Sequence, residues 1–468
     1  MSRHYTKQEK DFKIEFRPSH QATAHGGQMA VTGLVREYGL WNKLKAYPAL
    51  DPRTDKHKGY DAQVYVAAFL FGFTSGAKSL ADIERMDDDQ ALKDLLGIKK
   101  FPDQSALGEW LRNIGAEGVK DMRLLVRDFT AWALKRANPA NVRHGGTLEA
   151  FFDDTQIEVE GKCFEGAKIN YDGNLSLSWQ TLWVGPFLAD AIMGSPTDHK
   201  EPVCSEICGA DVSAYLPMML KENRALWEGV PNYLYADSAS SAGKYLESID
   251  EVFGQWSVSY NKWTGPLETG AAQLPETSWS EAQMEVWRDG SMHETQCNWY
   301  RYQPGGCARP KLFAVMRHRR ADGEFFWRYC FVACKEHEKM KTPLQVFERH
   351  RLKGDKERAF SELLSDMDLH HPPCKSLVAN NAYYLLGALA YNILQAIKVI
   401  YLPVEHQPKR IRTLLHHLLL IPVEIKRHAR GMKAVFFAPA GWLEWWKGFL
   451  RDLLPRCRQI GALAGEKG

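Results

Sequence analysis

Three acids, far apart along the chain, have the residue type and setting for metal-assisted phosphodiester chemistry. Asp153-Asp154 follows Thr147 to Phe152, a largely apolar run, and Asp237 follows Pro231 to Ala236 in the same way. A carboxylate at the end of a buried strand is costly to hold charged unless something neutralises it, and a divalent cation is the usual remedy. Glu357 enters through helical spacing: on a helix over 355–367 it shares a stripe with Phe360 and Leu364, which face inward. Asp154, Asp237 and Glu357 together would suit two Mg²⁺ ions about 3.5–4 Å apart, able to activate a water or a 3′-hydroxyl and to stabilise the leaving oxygen. Oxygen-only ligands favour Mg²⁺, with Mn²⁺ as a substitute, over zinc. Taken singly, an Asp after a strand also serves as a turn residue or a helix cap.

These acids need a scaffold, and the chain reads as mixed α/β. Residues 1–145 are expected to be helical. One helix runs from Ser79 to Leu96, and a second follows Asp103 with Leu107, Trp110, Leu111 and Ile114 on one face, a pair that suits either a helix-turn-helix or plain packing. From Gly145-Gly146 the pattern turns to strands: Thr147 to Asp153, Gln156 to Glu160, Leu175 to Val184 and Pro231 to Asp237, then a helix around Lys244 to Ile249. Residues 251–340 are rich in aromatics and turn signals, with Pro310 to Arg319 and Glu324 to Ala333 flanking a hairpin turn at Ala321-Asp322-Gly323. Thr342-Pro343 opens a helix, and the chain is expected to stay mostly helical to its end.

Bulk properties restrict the partners. The net charge of +3 conceals a basic end: residues 398–468 hold 13 Lys and Arg against 5 Asp and Glu, which points to a polyanion. Nine cysteines and a polar N-terminus without a signal-peptide pattern suggest the cytoplasm. Cys204 and Cys208, or Cys330 and Cys334, lack the spacing of a zinc ribbon. The apolar stretch Tyr383 to Leu402 contains Asn392, Gln395 and Lys398 and reads as a buried helix, so no membrane partner is expected.

With these residues in place, the sequence resembles the cut-and-paste DDE transposases of bacterial insertion sequences. Asp154-Thr155 is similar to the family's first catalytic Asp-Thr, and Tyr235-Ala236-Asp237-Ser238-Ala239 to its second catalytic strand end. His350, Lys353 and Glu357 fall where the family has Tyr, Arg and Glu, and Leu364 where it has Lys. Gly33-Leu34, Leu80-Ala81-Asp82, Pro102-Asp103-Gln104-Ser105, Ala379-Asn380-Asn381 and Ala390-Tyr391-Asn392 extend the similarity over about residues 30–440.

The resemblance implies a ribonuclease H-like core in two parts, 146–250 and 341–400, interrupted by a β-rich insertion at 251–340. A helical N-terminal DNA-binding or dimerisation domain at 1–145 and a basic helical region at 401–468 would flank it. It implies double-stranded DNA as substrate, both terminal inverted repeats and target, two Mg²⁺ per site, a homodimer in the DNA complex, and nucleoid association. Trp327, beside Arg317, Arg319 and Arg320, is expected against an unpaired base. His350 and Lys353, and the basic run of Lys409, Arg410, Arg412, Lys426, Arg427 and Arg430, are expected on phosphates. Open alternatives are a ribonuclease H-like nuclease without strand transfer, a domesticated DNA-binding protein, and a zinc-dependent regulator.

Overall fold

A computed structural model describes residues 20–161, 163–170, 172–195, 215–260, 265–287, 289–337, 340–428, 431–438 and 440–453, without the side chains of 355–357, 431, 440–445 and 452. The strands in chain order are β1 (Ala22–Thr23), β2 (Leu148–Glu158), β3 (Lys168–Ile169), β4 (Leu175–Val184), β5 (Phe187–Gly194), β6 (Asn232–Ala236) and β7 (Gln255–Tyr260). They continue with β8 (Gln283–Val286), β9 (Met292–Tyr302), β10 (Lys311–Arg320), β11 (Arg328–Cys334), β12 (Val423–His428) and β13 (Gly431–Phe436).

Among the described residues, ten strands form one mixed sheet in the order β3-β4-β2-β6-β7-β11-β10-β9-β8, with β5 also on β4. β2, β6 and β7 run parallel, whereas β4 and β5 are antiparallel to their neighbours. The aromatic-rich segment is thus no separate sheet: β11 pairs with β7 and carries the central sheet onward. Both faces are covered, which explains why the parallel strands are apolar on alternate and adjacent positions alike. Phe151, Trp179, Trp183, Tyr233 and Tyr235 face a cluster shared with the helices Ala62–Thr74, Gly115–Arg136 and Leu377–Tyr401. Phe152, Leu182, Leu234 and Trp256 face the helices Tyr215–Asn223, Gly243–Val252 and Gly265–Ala272.

The Leu377–Tyr401 helix is the one described helix long and apolar enough to cross a membrane, and it is buried within the protein. Asn392, at its middle, accepts the Leu188 N–H at 2.9 Å and donates to the Leu188 carbonyl at 2.7 Å; Asn381 brackets Met193 on the same strand in the same way. Of the polar residues that argue against a bilayer span, Asn392 thus clasps the edge of β5, while Gln395 bonds Glu362 and Tyr391.

Several expectations change. The single helix expected over Ser79 to Leu96 is two, Leu80–Arg85 and Gln90–Leu96, because Asp89 caps the second by accepting the Leu92 N–H at 2.8 Å. The two strands expected on either side of Asp154 are one, β2, since β4 pairs with it from Ala150 to Glu158. Within the C-terminal region expected to be mostly helical, the structure has the β12–β13 hairpin, which also takes up β1. The helix expected over 355–367 is three short pieces: a 3₁₀ turn at Leu352–Lys356, an α turn at Glu357–Ser361 and a π turn at Glu362–Asp366. That wider turn shifts the inward stripe, so Leu363 and Glu362 are buried, and Glu362 holds Arg358 and Gln395. The Gln104–Asn113 helix and its buried Leu107, Trp110 and Leu111 match the expected face.

Candidate active site

The parallel register of β2 and β6 ends at Phe152 opposite Ala236, so Asp153-Asp154 and Asp237 follow side by side. β2 itself continues to Glu158, so the Asp pair lies where it outruns its parallel neighbour and remains held by β4. Asp237 caps the turn Ser238–Ser240, its Oδ1 accepting the Ala239 N–H at 3.0 Å.

The pleat sends the two neighbouring aspartates to opposite faces. Asp153 follows Glu149 and Phe151 onto the face of the Leu377–Tyr401 helix, and its Oδ2 lies 3.8 Å from Lys353 Nζ. Asp154 turns to the other side, where its Oδ2 accepts Gln156 Nε2 at 2.8 Å and Ser178 Oγ at 3.0 Å. Both are largely buried, and burial raises both pKa values. Asp153 is pushed up to about 7 by burial and by the charges of Asp237 and Asp154, against the pull of Lys353. Asp154 is raised by burial and by Asp237, with the Ser178 and Gln156 bonds opposing. Asp237 therefore acts on both carboxylates, which puts the three acids in one electrostatic neighbourhood.

Pro343–Arg351, the helix preceding Glu357, is fastened to the same face at several points. It starts with a capping box between Thr342 and Gln345. Arg349 Nη2 meets Glu149 Oε1 on β2 at 3.1 Å, and the Tyr235 hydroxyl of β6 donates to that same oxygen at 2.8 Å. The Arg349 guanidinium also lies 4.8 Å from the centre of the Tyr233 ring. His350 bonds through its two ring nitrogens to the hydroxyls of Ser257 and Ser259 on β7, at 2.8 and 2.7 Å. Burial, and then the Lys353 charge, lower its pKa to about 4, so the ring is neutral at pH 7. Beyond it, Phe360 packs edge-on against Phe151 and Trp183 and seats the turn that Glu357 begins. The Glu357 side chain lies outside the described ones.

Among the described residues, no three His, Cys, Asp or Glu side chains form a metal-holding group. The donor chemistry nevertheless fits a divalent cation. Asp153 and Asp154 offer only oxygen ligands, adjacent and partly buried, and that burial, with the charges of the neighbouring acids, disfavours each as an anion; a bound cation would reverse that. The Arg349–Glu149–Tyr235 cluster was not anticipated. Its one sequence signal is Glu149, an acid within an apolar strand at the same face as Asp153.

The expected DNA-contacting residues separate into held and open groups. Arg317 is buried, its guanidinium bonded to Glu276 and Gln296 and stacked between Trp279 and Trp327 at 4.3 and 4.4 Å. Arg319 pairs with Glu294 and covers Trp327 at 4.4 Å; Arg320 pairs with Asp322. Trp327 precedes β11 rather than lying on it, because the turn runs from 321 to 327, and Phe325 and Phe326 stand at its tip, 86% and 82% exposed. Arg410 is bound to Asp366, Arg427 to Asp94 and Lys426 to Glu424, whereas Lys409 and Arg412 are exposed. Arg430 and the Cys204–Cys208 pair lie outside the described residues. Cys330 and Cys334 lie on β11 and form no disulfide.

Neither a scan against protein-family models nor a search of curated proteins found a match to the chain.

Proposed function

We propose that the chain is a DNA transposase that cleaves and rejoins phosphodiesters at a carboxylate site made by Asp237, Glu357 and the Asp153-Asp154 pair, of which Asp153, not Asp154, shares the face of Lys353 and of the helix that leads into Glu357. One observation carries the reading: Asp153-Asp154 and Asp237 lie side by side on parallel strands, next to the helix that leads into Glu357. The strand order β5-β4-β2-β6-β7, three antiparallel strands followed by two parallel to the first, supports a ribonuclease H-like core.

Two Mg²⁺ ions, or Mn²⁺, held by these acids would supply the Lewis acidity that activates a water or 3′-hydroxyl and stabilises the leaving oxygen. The chain's own residues do the rest. Lys353 offers a point charge to a backbone phosphate beside Asp153, without the bidentate fork of an arginine. His350, neutral and bonded to Ser257 and Ser259, positions the helix instead of meeting a phosphate. Arg317 and Arg319 hold the Trp327 ring next to the exposed Phe325-Phe326 tip, where an unpaired base could stack. The partners on this reading are transposon-end and target duplexes, bound by a homodimer in the bacterial cytoplasm.

The test is Mg²⁺-dependent nicking of duplexes carrying the inverted repeats that flank the gene, followed by joining to a target plasmid. Asp237→Asn should abolish both steps. Nicking without joining would reassign the chain as a nuclease, and DNA binding with no cleavage under any metal would reassign it as a DNA-binding protein. Trp327→Ala should impair opening of the end more than the first nick.

A further inference from the structure

The central sheet closes its two edges differently. On one side the Leu377–Tyr401 helix covers β5, and its Asn392 and Asn381 take up the backbone of Leu188 and Met193. On the other side β8 ends the sheet, and no described strand pairs with its outer edge. Its register on β9 sets Glu285 opposite His293 and Val286 opposite Met292, and the turn beyond closes with the Trp287 N–H donating to the Ser291 carbonyl at 2.8 Å. Bonded and non-bonded pairs alternate in an antiparallel ladder, so the Glu285 backbone bonds to β9 while Met284 and Val286 turn their N–H and C=O groups outward.

Free sheet edges are ordinarily guarded by a lysine, a proline, a bulge or a covering segment. β8 reads Gln-Met-Glu-Val and contains neither lysine nor proline. Its one charge, Glu285, is held by Arg351 at 3.0 Å. Met284 and Val286 are 55% and 69% exposed, and Met292, beside them on β9, is 51% exposed. The exposed Phe325-Phe326 turn adjoins them, since the Ala321 N–H at its start donates to the Met292 carbonyl. The nearby arginines are already engaged: Arg319 with Glu294, Arg320 with Asp322 and Arg328 with Glu324. An apolar edge with paired charges around it suits a protein strand and offers little to a polyanion.

We propose that β8 is a dimerisation edge, which pairs antiparallel with β8 of a second copy of the chain and continues the sheet across a twofold axis. The residues of the edge select both that occupant and its register. With Met284 on the axis, the Met284 backbones of the two copies exchange N–H···O bonds, and Glu285 of each copy faces Gln283 of the other, so no like charges are opposed. The next register, with Met284 against Val286, would set Glu285 against Glu285. In the favoured register the exposed Met284 and Val286 side chains of both copies share one face and shield one another from water. The pairing does not rest on the reading of the chain as a DNA enzyme.

The experiment is sedimentation of the full chain without DNA, from about 1 to 100 µM, and the expected result is a concentration-dependent dimer with a micromolar dissociation constant, in keeping with a small interface. Val286→Glu, at an exposed position, should raise that constant at least about tenfold. Met284→Pro removes one outward N–H and no bond to β9, and should do the same. Met284→Cys should give a disulfide-linked dimer under mild oxidation that the wild type does not form, because the Cα atoms of a bonded antiparallel pair stand about 5.5 Å apart. A wild type that stays monomeric at about 100 µM, or a dimer that survives Val286→Glu and Met284→Pro alike, would overturn the proposal. A dimer lost in Val286→Glu and kept in Met284→Pro would also overturn it, by showing apolar docking without strand pairing. So would a monomer whose affinity for a DNA duplex drops in Val286→Glu, which would assign the edge to DNA.

Discussion

The ammonium of Lys353 stands 3.8 Å from the Asp153 carboxylate and 5.6 Å from the centre of the Phe151 ring, two residues earlier on the same face of β2. It thus occupies ground that a cation bound to Asp153 would contest. Lys353→Met should raise Mg²⁺ affinity several-fold at pH 8.5 while lowering DNA nicking at least tenfold. Calorimetric titration and a nicking assay read the two effects separately. A parallel loss of both would mean that Lys353 is structural.

The split of Asp153 and Asp154 across the sheet invites a direct comparison. Asp154→Asn and Asp153→Asn should both weaken Mg²⁺-dependent cleavage, with the larger loss, on the order of a thousandfold, marking the residue that ligates. Wild-type activity in both variants would remove the Asp pair from the site.

Arg349 ties the Pro343–Arg351 helix to β2 and β6 through Glu149. The pair is mostly shielded from solvent, so Arg349→Met leaves Glu149 with only the Tyr235 hydroxyl and should cost about 2–3 kcal/mol in denaturant unfolding. A double-mutant cycle with Glu149→Gln should return a coupling of about 1–2 kcal/mol, and near-additive losses would show that the contact contributes little.

His350 sets a pH dependence. Burial holds its folded pKa near 4, below the ordinary 6.5 of a histidine, so the unfolded chain takes up a proton first as pH falls. Stability should be full above pH 6.5 and decline toward pH 4, by at most about 3 kcal/mol and less where solvent screens the ring. Urea unfolding of wild type and His350→Gln across that window isolates the effect; identical slopes would assign it to other groups.

Arg123 and Asp190 form a buried pair between the Gly115–Arg136 helix and β5, with bonds of 2.8 and 2.7 Å, joined by Glu222 and Asn223. Removing one partner strands the other charge, so Arg123→Met should destabilise the protein by about 3–5 kcal/mol. Denaturant unfolding checks this, and a change below about 1 kcal/mol would contradict it.

The sequence was legible where one interaction decides the outcome. Thr342-Pro343 predicts a helix start because capping and a fixed φ act locally, and the face of Leu107, Trp110 and Leu111 follows from periodicity. It was opaque where distant partners decide. β2 runs through the Asp pair because β4 pairs with it along its length, and nothing local to Asp153 announces that. β12 and β13 pair with each other and with β1, so polar residues such as Lys426 and Lys433 sit opposite one another on strands despite a helix-like neighbourhood. Within the site, acid type and strand-end position marked Asp153, Asp154 and Asp237. The assignment of each to a face needed the register, and Glu149 needed Arg349, 200 residues away.

The helix Leu377–Tyr401 supplies the common wall against which Ala62–Thr74, Gly115–Arg136 and β5 pack. During synthesis, about the first 375 residues leave the ribosome before that wall exists. The apolar faces of Phe69, Phe73 and Phe129 must wait, wet or chaperoned, for a segment made late. A nascent chain interrupted ahead of Leu377 consequently bares apolar surface that the finished chain buries.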